Sequence, residues 1–204
     1  MLKTFENCPK KFHLKFIEKI SIPQNPTLFE KGKKIHALAN YYHQGADISK
    51  LETGLTNEER LIWEGLKNNK YFSKKCLKSE YPIMAKIDDI WIFGRIDAIV
   101  KDEKNYFILD YKTGSIPKNP EKDFQTMIYL LCANLILPEK DSLYFIYIDL
   151  KNNENRIIEF TPQLKEFYEQ KIKEQCHIIL NSKDFEAKTN KEHCRFCEYS
   201  KICR

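Results

Sequence analysis

The chain has 204 residues, 42% of them hydrophobic and 13% aromatic, which is enough to bury a core and excludes a disordered tail protein. Lys and Arg number 34 against 29 Asp and Glu, a net charge of +5 that suits a polyanionic partner without marking a basic tail. No apolar run reaches the roughly eighteen residues that span a bilayer, and Met1 to Lys19 is too charged for a secretory signal. The expectation is one soluble domain in the cytoplasm, with no membrane partner.

The first segment, Leu2 to Ile20, holds Phe5, Phe12, Leu14, Phe16 and Ile17 around Cys8-Pro9 and reads as a short helix. Pro23 and Pro26 then break the chain. Thr27 can cap a helix to about Gln44, with Leu28, Ile35, Leu38 and Tyr42 near helical spacing and His36 within it. Thr56-Asn57-Glu58-Glu59 is a capping box that opens a helix through Leu61, Ile62, Trp63 and Leu66.

The pattern then turns to strands. Glu80 to Lys86, Ile90 to Val100 and Tyr106 to Lys112 are rich in β-branched and aromatic residues, with turns at Asp88-Asp89 and Asp102 to Asn105. Asn119-Pro120 is read as the start of the next helix, with Phe124, Met127, Ile128 and Leu131 as its apolar stripe and Pro138 as its stop. Leu143 to Leu150 and Arg156 to Phe160 form a strand pair around Asn152-Asn153. Thr161-Pro162 opens a last helix through Leu164, Phe167, Tyr168, Ile172, Cys176 and Ile179, followed by a Cys-rich tail. Helices, three strands, helix, two strands, helix, tail: the order predicts an α/β fold whose sheet begins antiparallel.

Seven Cys divide by position. Cys76, Cys132 and Cys176 lie in apolar surroundings and are expected as small core residues. Cys8 and the trio Cys194, Cys197 and Cys203 lie at the two ends, the trio with C-x2-C-x5-C spacing. In a reducing compartment a close trio of Cys points to a metal or cluster site, and Cys8 is the candidate fourth ligand.

Strand alternation puts Asp110 and Lys112 on one side and Leu109 and Tyr111 on the other. An acid and a lysine two apart at a strand end are costly in a core. They suit a site that holds a divalent cation and a water, to which Asp97 on the neighbouring predicted strand can bring a second hard oxygen ligand. The plain alternative is a solvated strand end with an incidental ion pair. Gln125 and Tyr129 are four apart and share one face of the helix that follows. A lone helical His such as His36 is more often structural than a ligand.

Cys8-Pro9-Lys10-Lys11-Phe12, Gly32-Lys33-Lys34-Ile35-His36, Gly94-Arg95-Ile96-Asp97, Asp110-Tyr111-Lys112-Thr113-Gly114, Gln125-Thr126-Met127-Ile128-Tyr129 and the three terminal Cys follow one another along nearly the whole chain. In that order they resemble a RecB-type member of the PD-(D/E)XK nuclease superfamily of the kind that carries an iron–sulfur cluster. The resemblance implies a restriction-endonuclease-like core, a mixed sheet flanked by helices, within a single domain over 1–204. Its helical N-terminal part and Cys-rich C-terminal tail, 1–20 and 190–204, would be joined by the cluster. It further implies Mg²⁺ or Mn²⁺ held by His36, Asp97, Asp110 and the Tyr111 carbonyl, with Asp97, Asp110 and Lys112 catalytic. Gln125 and Tyr129 would brace the site or hold the DNA. Cys8, Cys194, Cys197 and Cys203 would hold a [4Fe–4S] cluster, with Zn²⁺ as the rival occupant, on the same thiolates or with His193 replacing one. Glu80 matches an acidic position seen in relatives but is not expected as a ligand. The segment before Cys8 is shorter than is usual in relatives, which suggests a start further upstream.

The activity so implied is a metal-dependent DNA exonuclease working from single-stranded ends in repair or recombination. The alternatives are a CRISPR-adaptation nuclease of the same superfamily and a DNA-binding subunit of a helicase–nuclease complex. No Walker motif is present, so any motor must come from another chain.

Overall fold

Five strands make one mixed sheet in the order β1 (Lys75–Ile87), β2 (Ile90–Asp102), β3 (Asn105–Lys112), β4 (Ser142–Asp149) and β5 (Glu154–Glu159). The computed structural model describes residues 1–23, 27–189 and 194–203, and the side chains of these apart from 27–31. Pro26, the Thr27 cap, the Leu28 side chain and His193 therefore lie outside the described residues. β1 to β3 run antiparallel through two tight turns, in which Asp88 and Glu103 take φ of 50° and 53°. β3 and β4 are parallel, and a parallel pair needs a crossover connection, here the segment that carries helix α6 (Phe124–Ile136). β5 closes the sheet antiparallel to β4.

The two faces of the sheet are covered differently. Ala98, Val100, Leu109, Tyr111, Ile146 and Ile148 pack with Ile35, Leu38 and Ala39 of α3 (Thr27–His43) and with Trp63 and Leu66 of α5 (Asn57–Lys67). Strand residues of the other parity meet α6, where Tyr129 lies beside Phe145 and Thr126 shares a 2.9 Å hydrogen bond with Tyr147. Helices flank both faces, as the restriction-endonuclease-like expectation requires.

Several elements differ from expectation. β1 begins at Lys75, five residues before Glu80, because Lys75 and Cys76 pair with Lys101 and Val100 before a register shift between Cys76 and Lys78. The Lys-rich stretch at this sheet edge hides the strand. Asn119-Pro120 opens only a 3-10 turn, Pro120–Lys122. The α-helix starts at Phe124, where the Asp123 carboxylate accepts the Gln125 N–H at 2.9 Å. Leu130 is buried in its stripe, whereas Ile128 is half-buried. A short helix α4 (Ser49–Thr53) was not expected. Of the three Cys expected in the core, Cys132 is buried but Cys76 and Cys176 are only half-buried.

The chain divides into two compact units, 27–169 and a smaller one of 1–26 with 170–204. In the smaller unit the expected N-terminal helix is broken into α1 (Leu2–Asn7), α2 (Pro9–Phe12) and a π-helical turn, His13–Ile17. Pro9 disfavours helical backbone at the residue before it, and Cys8 is extended at φ −162° and ψ 107°. Its Sγ then accepts the Lys11 N–H at 3.4 Å. Phe5, Phe12 and Phe185 form a ring cluster, with centroids 5.3 to 6.2 Å apart. The Tyr199 hydroxyl donates to Ile20 O at 2.8 Å, and Lys11 pairs with Glu198 at 2.7 Å. The two chain ends are thus packed together. Helix α7 (Pro162–Asn181) begins in one unit and ends in the other.

The α5 capping box forms as expected. Thr56 Oγ1 accepts the Glu59 N–H, and Glu59 Oε2 accepts the Thr56 N–H at 2.8 Å and the Lys34 ammonium at 2.9 Å. The Lys34 bond, then the Thr56 N–H, hold the Glu59 carboxyl down at about 2. Thr56→Ala should therefore cost about 1 kcal/mol in urea denaturation, with unchanged stability as the contrary result.

Candidate active site

The geometry of the site follows from where two strands part. β2 pairs with β1 along its whole length, but with β3 only from Ala98 to Asp102. One step beyond the Ala98↔Leu109 pair, the register sets Asp97 opposite Asp110. There a side chain replaces the backbone ladder, and the Tyr111 N–H donates to Asp97 Oδ2 at 2.8 Å. Asp97 thus lies in the middle of β2, at the end of its pairing with β3. On its other side, the pairs Ser79↔Ala98 and Tyr81↔Ile96 set Glu80 opposite Asp97. Glu80 has φ 45°, an unfavourable conformation for a residue with a Cβ, and its side chain turns toward the site.

Helix α3 brings His36 to the same place. Its Nε2 donates to the Tyr111 carbonyl at 2.9 Å, while Nδ1 lies 3.4 Å from Asp97 Oδ1 and 4.0 Å from Glu80 Oε1. Ligand atoms of His36, Glu80 and Asp97 lie within 4.8 Å of one another. Burial works against the imidazolium, but the hydrogen bond and charge of Asp97 outweigh it and raise the His36 pKa. Glu80, not expected as a ligand, stands inside this group, whereas Asp110 stands beside it. The acidic residue was visible in the sequence; its inward turn depends on a backbone angle that no residue pattern announces.

Asp110 is buried at 3% exposure. Gln125 Nε2 donates to its Oδ1, and its Oδ2 is ion-paired with Lys112 Nζ at 2.7 Å. Burial first, and then the charge of Asp97, push the Asp110 carboxyl up to about 6 against the pull of Lys112. Lys112 also donates to Gln125 Oε1 at 3.0 Å. One amide therefore holds both halves of the ion pair, and Asp123 fixes the amide's helix turn, a role a sequence search for N-cap Asp can find.

Tyr129 is placed differently. Its hydroxyl donates to the Arg95 carbonyl at 2.5 Å and its ring crosses β2 at Gly94, where an added Cβ would lie 2.6 Å from Cε1. Gln125 lies on the charged groups and Tyr129 against the strand, and the two side chains remain within reach of each other. Gly32 has a related use, since a Cβ there would lie 2.9 Å from Thr113 Oγ1, just past Lys112. An open cleft of about 730 Å³ begins at Thr113 and Gly114 and carries Lys118, Lys151 and Arg156.

In the smaller unit, partial burial and the neighbouring thiols of Cys8, Cys197 and Cys194 raise the Cys203 pKa. The four Cys are close enough to interact, and all are free thiols.

The PD-(D/E)XK nuclease superfamily matches the sequence over residues 1–204. The chain belongs to that superfamily. The crystal structure of a "Putative exonuclease" from Eubacterium rectale is similar, with 11% identity and a TM-score of 0.59, over 100% of this chain and 87% of that one. A second solved structure, SSO0001, aligns at 18% identity and a TM-score of 0.43 over 99% of this chain and 84% of its own. At 11% identity the likeness to the Eubacterium rectale structure concerns the fold. No curated protein matches the sequence. In a superfamily named for its carboxylates and lysine, Asp97, Asp110 and Lys112 occupy adjoining strand positions in this chain, and the cluster that could hold a cation includes Glu80. Among the described residues no helix is long and apolar enough to cross a membrane.

Two outcomes follow from the geometry. Gly94→Ala should cost about 1–3 kcal/mol by overpacking, and much less in a Tyr129→Ala background, which a double-mutant cycle in urea would read. Equal losses in both backgrounds would mean that the ring is not what Gly94 accommodates. The second concerns protons. Folded Asp110 keeps its proton to about pH 6, whereas an unfolded carboxyl releases it near 4. The folded state binds the extra proton in that window, so metal-free protein loses stability as pH rises through it. Asp110→Asn removes this loss and should be more stable than wild type above pH 6 in EDTA.

Proposed function

We propose that this chain is a metal-dependent deoxyribonuclease that hydrolyses phosphodiester bonds from single-stranded ends, an exonuclease of DNA repair or recombination. The observation that carries it is the convergence of His36, Glu80 and Asp97 beside the buried Asp110–Lys112 pair. The donor set fits a hard divalent cation, with three ligand atoms within 4.8 Å of one another and the buried Asp110 carboxylate beside them. His36, Glu80, Asp97 and Asp110, with the Tyr111 carbonyl, would hold Mg²⁺ or Mn²⁺. When bound, the cation supplies Lewis-acid stabilisation of the phosphate and a water of lowered pKa. Lys112 sets a point charge at the site and orients the attacking water, and Gln125 keeps that ammonium against Asp110. His36 is held by Tyr111 O with its Nδ1 toward the carboxylates. The description of the Eubacterium rectale protein agrees with an exonuclease.

Cys8, Cys194, Cys197 and Cys203 would hold a [4Fe–4S] cluster as a structural clasp, in preference to Zn²⁺. The influence of the Cys8, Cys197 and Cys194 thiols on Cys203, all four free and in one unit, supports a thiolate-ligated group. A repair or helicase chain is the partner that supplies a motor.

Asp97→Ala, Asp110→Ala and Lys112→Ala should each abolish Mn²⁺-dependent cleavage of end-labelled single-stranded DNA while leaving DNA binding largely intact. Near-wild-type cutting by Asp110→Ala would overturn the catalytic assignment. Anaerobically purified protein should be brown, with about four iron and four sulfide per chain. Ser at any of the four Cys should bleach it, while Ala at Cys76, Cys132 or Cys176 should not. A colourless protein holding one zinc would reverse the choice of metal.

A further inference from the structure

The β1–β2 hairpin extends well past the end of β3, because β2 pairs with β3 only from Ala98 onward. Its two sides are unlike. Ile83, Ala85, Ile87, Ile92 and Ile96 are buried. On the alternate positions Met84, Trp91 and Phe93 are 62%, 58% and 67% exposed, three large apolar side chains on one short ribbon. Such a patch on a soluble domain marks an interaction surface. Cross-strand pairs make it continuous: Lys86↔Trp91 near the tip, Met84↔Phe93 next, and Pro82↔Arg95 after that. Trp91, Phe93 and Arg95 alternate on β2, so successive side chains are about 6.8 Å apart. The row ends at the candidate active site, where Arg95 Nε lies 2.9 Å from Glu80 Oε2.

We propose that this face is a track for single-stranded DNA, with bases stacked on Phe93 and Trp91 and the backbone guided by Lys86 and Arg95 toward the carboxylates. The inference rests on the nuclease reading for its direction, and it adds the residues that select a single strand. Stacking on exposed rings is tolerant of sequence because every base has a π-face, and flanking cations track the phosphates. A duplex offers no free base faces to such a ribbon. The hairpin is also stiff, with eleven register pairs from Lys75↔Lys101 to Ile87↔Ile90, so little order need be gained on binding. Lys86 lies 3.3 Å from Asp89 and Arg95 2.9 Å from Glu80, so each would exchange a carboxylate for a phosphate, and continuity with the carboxylate site favours this occupant over a second copy of the chain.

The two tryptophans make a direct test possible. Trp63 is fully buried and Trp91 is exposed, so fluorescence from a solvent-facing indole reports Trp91. Oligo(dT) added to protein in EDTA should quench that component. Trp91→Ala and Phe93→Ala should each weaken binding of labelled oligo(dT) at least fivefold, and Trp91→Phe should keep it. Because no metal is present, the test stands apart from cleavage: quenching in a protein that never cuts would sink the nuclease reading alone. Unchanged Trp91 emission, wild-type affinity in both Ala variants, or no capture of oligo(dT) would overturn the track. Tighter capture of oligo(rU) would overturn its assignment to DNA. Concentration-dependent dimers lost in Phe93→Ala would give the face to self-association instead.

Discussion

One hydrogen bond governs the geometry of the candidate site. Where β3 would otherwise continue its ladder with β2, the Tyr111 N–H donates to the Asp97 carboxylate. A buried backbone donor needs a partner, and supplying it from a side chain lets the strands part without an unsatisfied group. The parting leaves the Tyr111 carbonyl to His36 and sets Glu80, Asp97 and Asp110 side by side on three neighbouring strands. Moving Asp97 one residue along β2 would turn its side chain to the other face. Site and sheet topology are therefore one constraint.

Gathering acids in a poorly solvated place costs free energy, and the surrounding polar contacts offset only part of it. Lys112 is the nearest compensating charge to Asp110, and Asp110 remains well above the ordinary carboxyl range. Arg95 engages Glu80 from the exposed side, and His36 gains affinity for a proton from Asp97. A divalent cation is the species that would relieve all these costs together. The arrangement therefore stores an unfavourable charge distribution that metal binding would discharge, consistent with perturbed groups clustering where chemistry is done.

Much of this was legible in the residues because it depends on local rules. Alternation separated Asp110 and Lys112 from Leu109 and Tyr111, and Leu109 and Tyr111 do join the core against α3. The Thr56 box and the antiparallel opening of the sheet were equally local. The place of Glu80 beside His36 and Asp97 was not legible because it depends on a positive φ and on its register against Asp97, which are properties of two strands rather than one. The α6 start was misplaced because Pro120 and Asp123 are both good openers, and only packing of the apolar run chose the second. Tyr129 and Gln125 share a helix face, yet strand geometry gives each a different neighbour.

The two ends of the chain show how little a cluster would need to organise. Phe5, Phe12 and Phe185, the Tyr199–Ile20 bond and the Lys11–Glu198 pair already bring residues near both ends together. Cys8 is held extended by Pro9, and its sulfur faces the Lys11 N–H rather than solvent alone. Four thiolates brought together repel. Partial burial first, and then the neighbouring thiols, raise the Cys203 pKa. A cationic metal or cluster would turn the repulsion into attraction, so its contribution would be mainly electrostatic, added to a packed unit. The entropic gain of closing a long loop would be correspondingly smaller than for a cross-link between otherwise free ends.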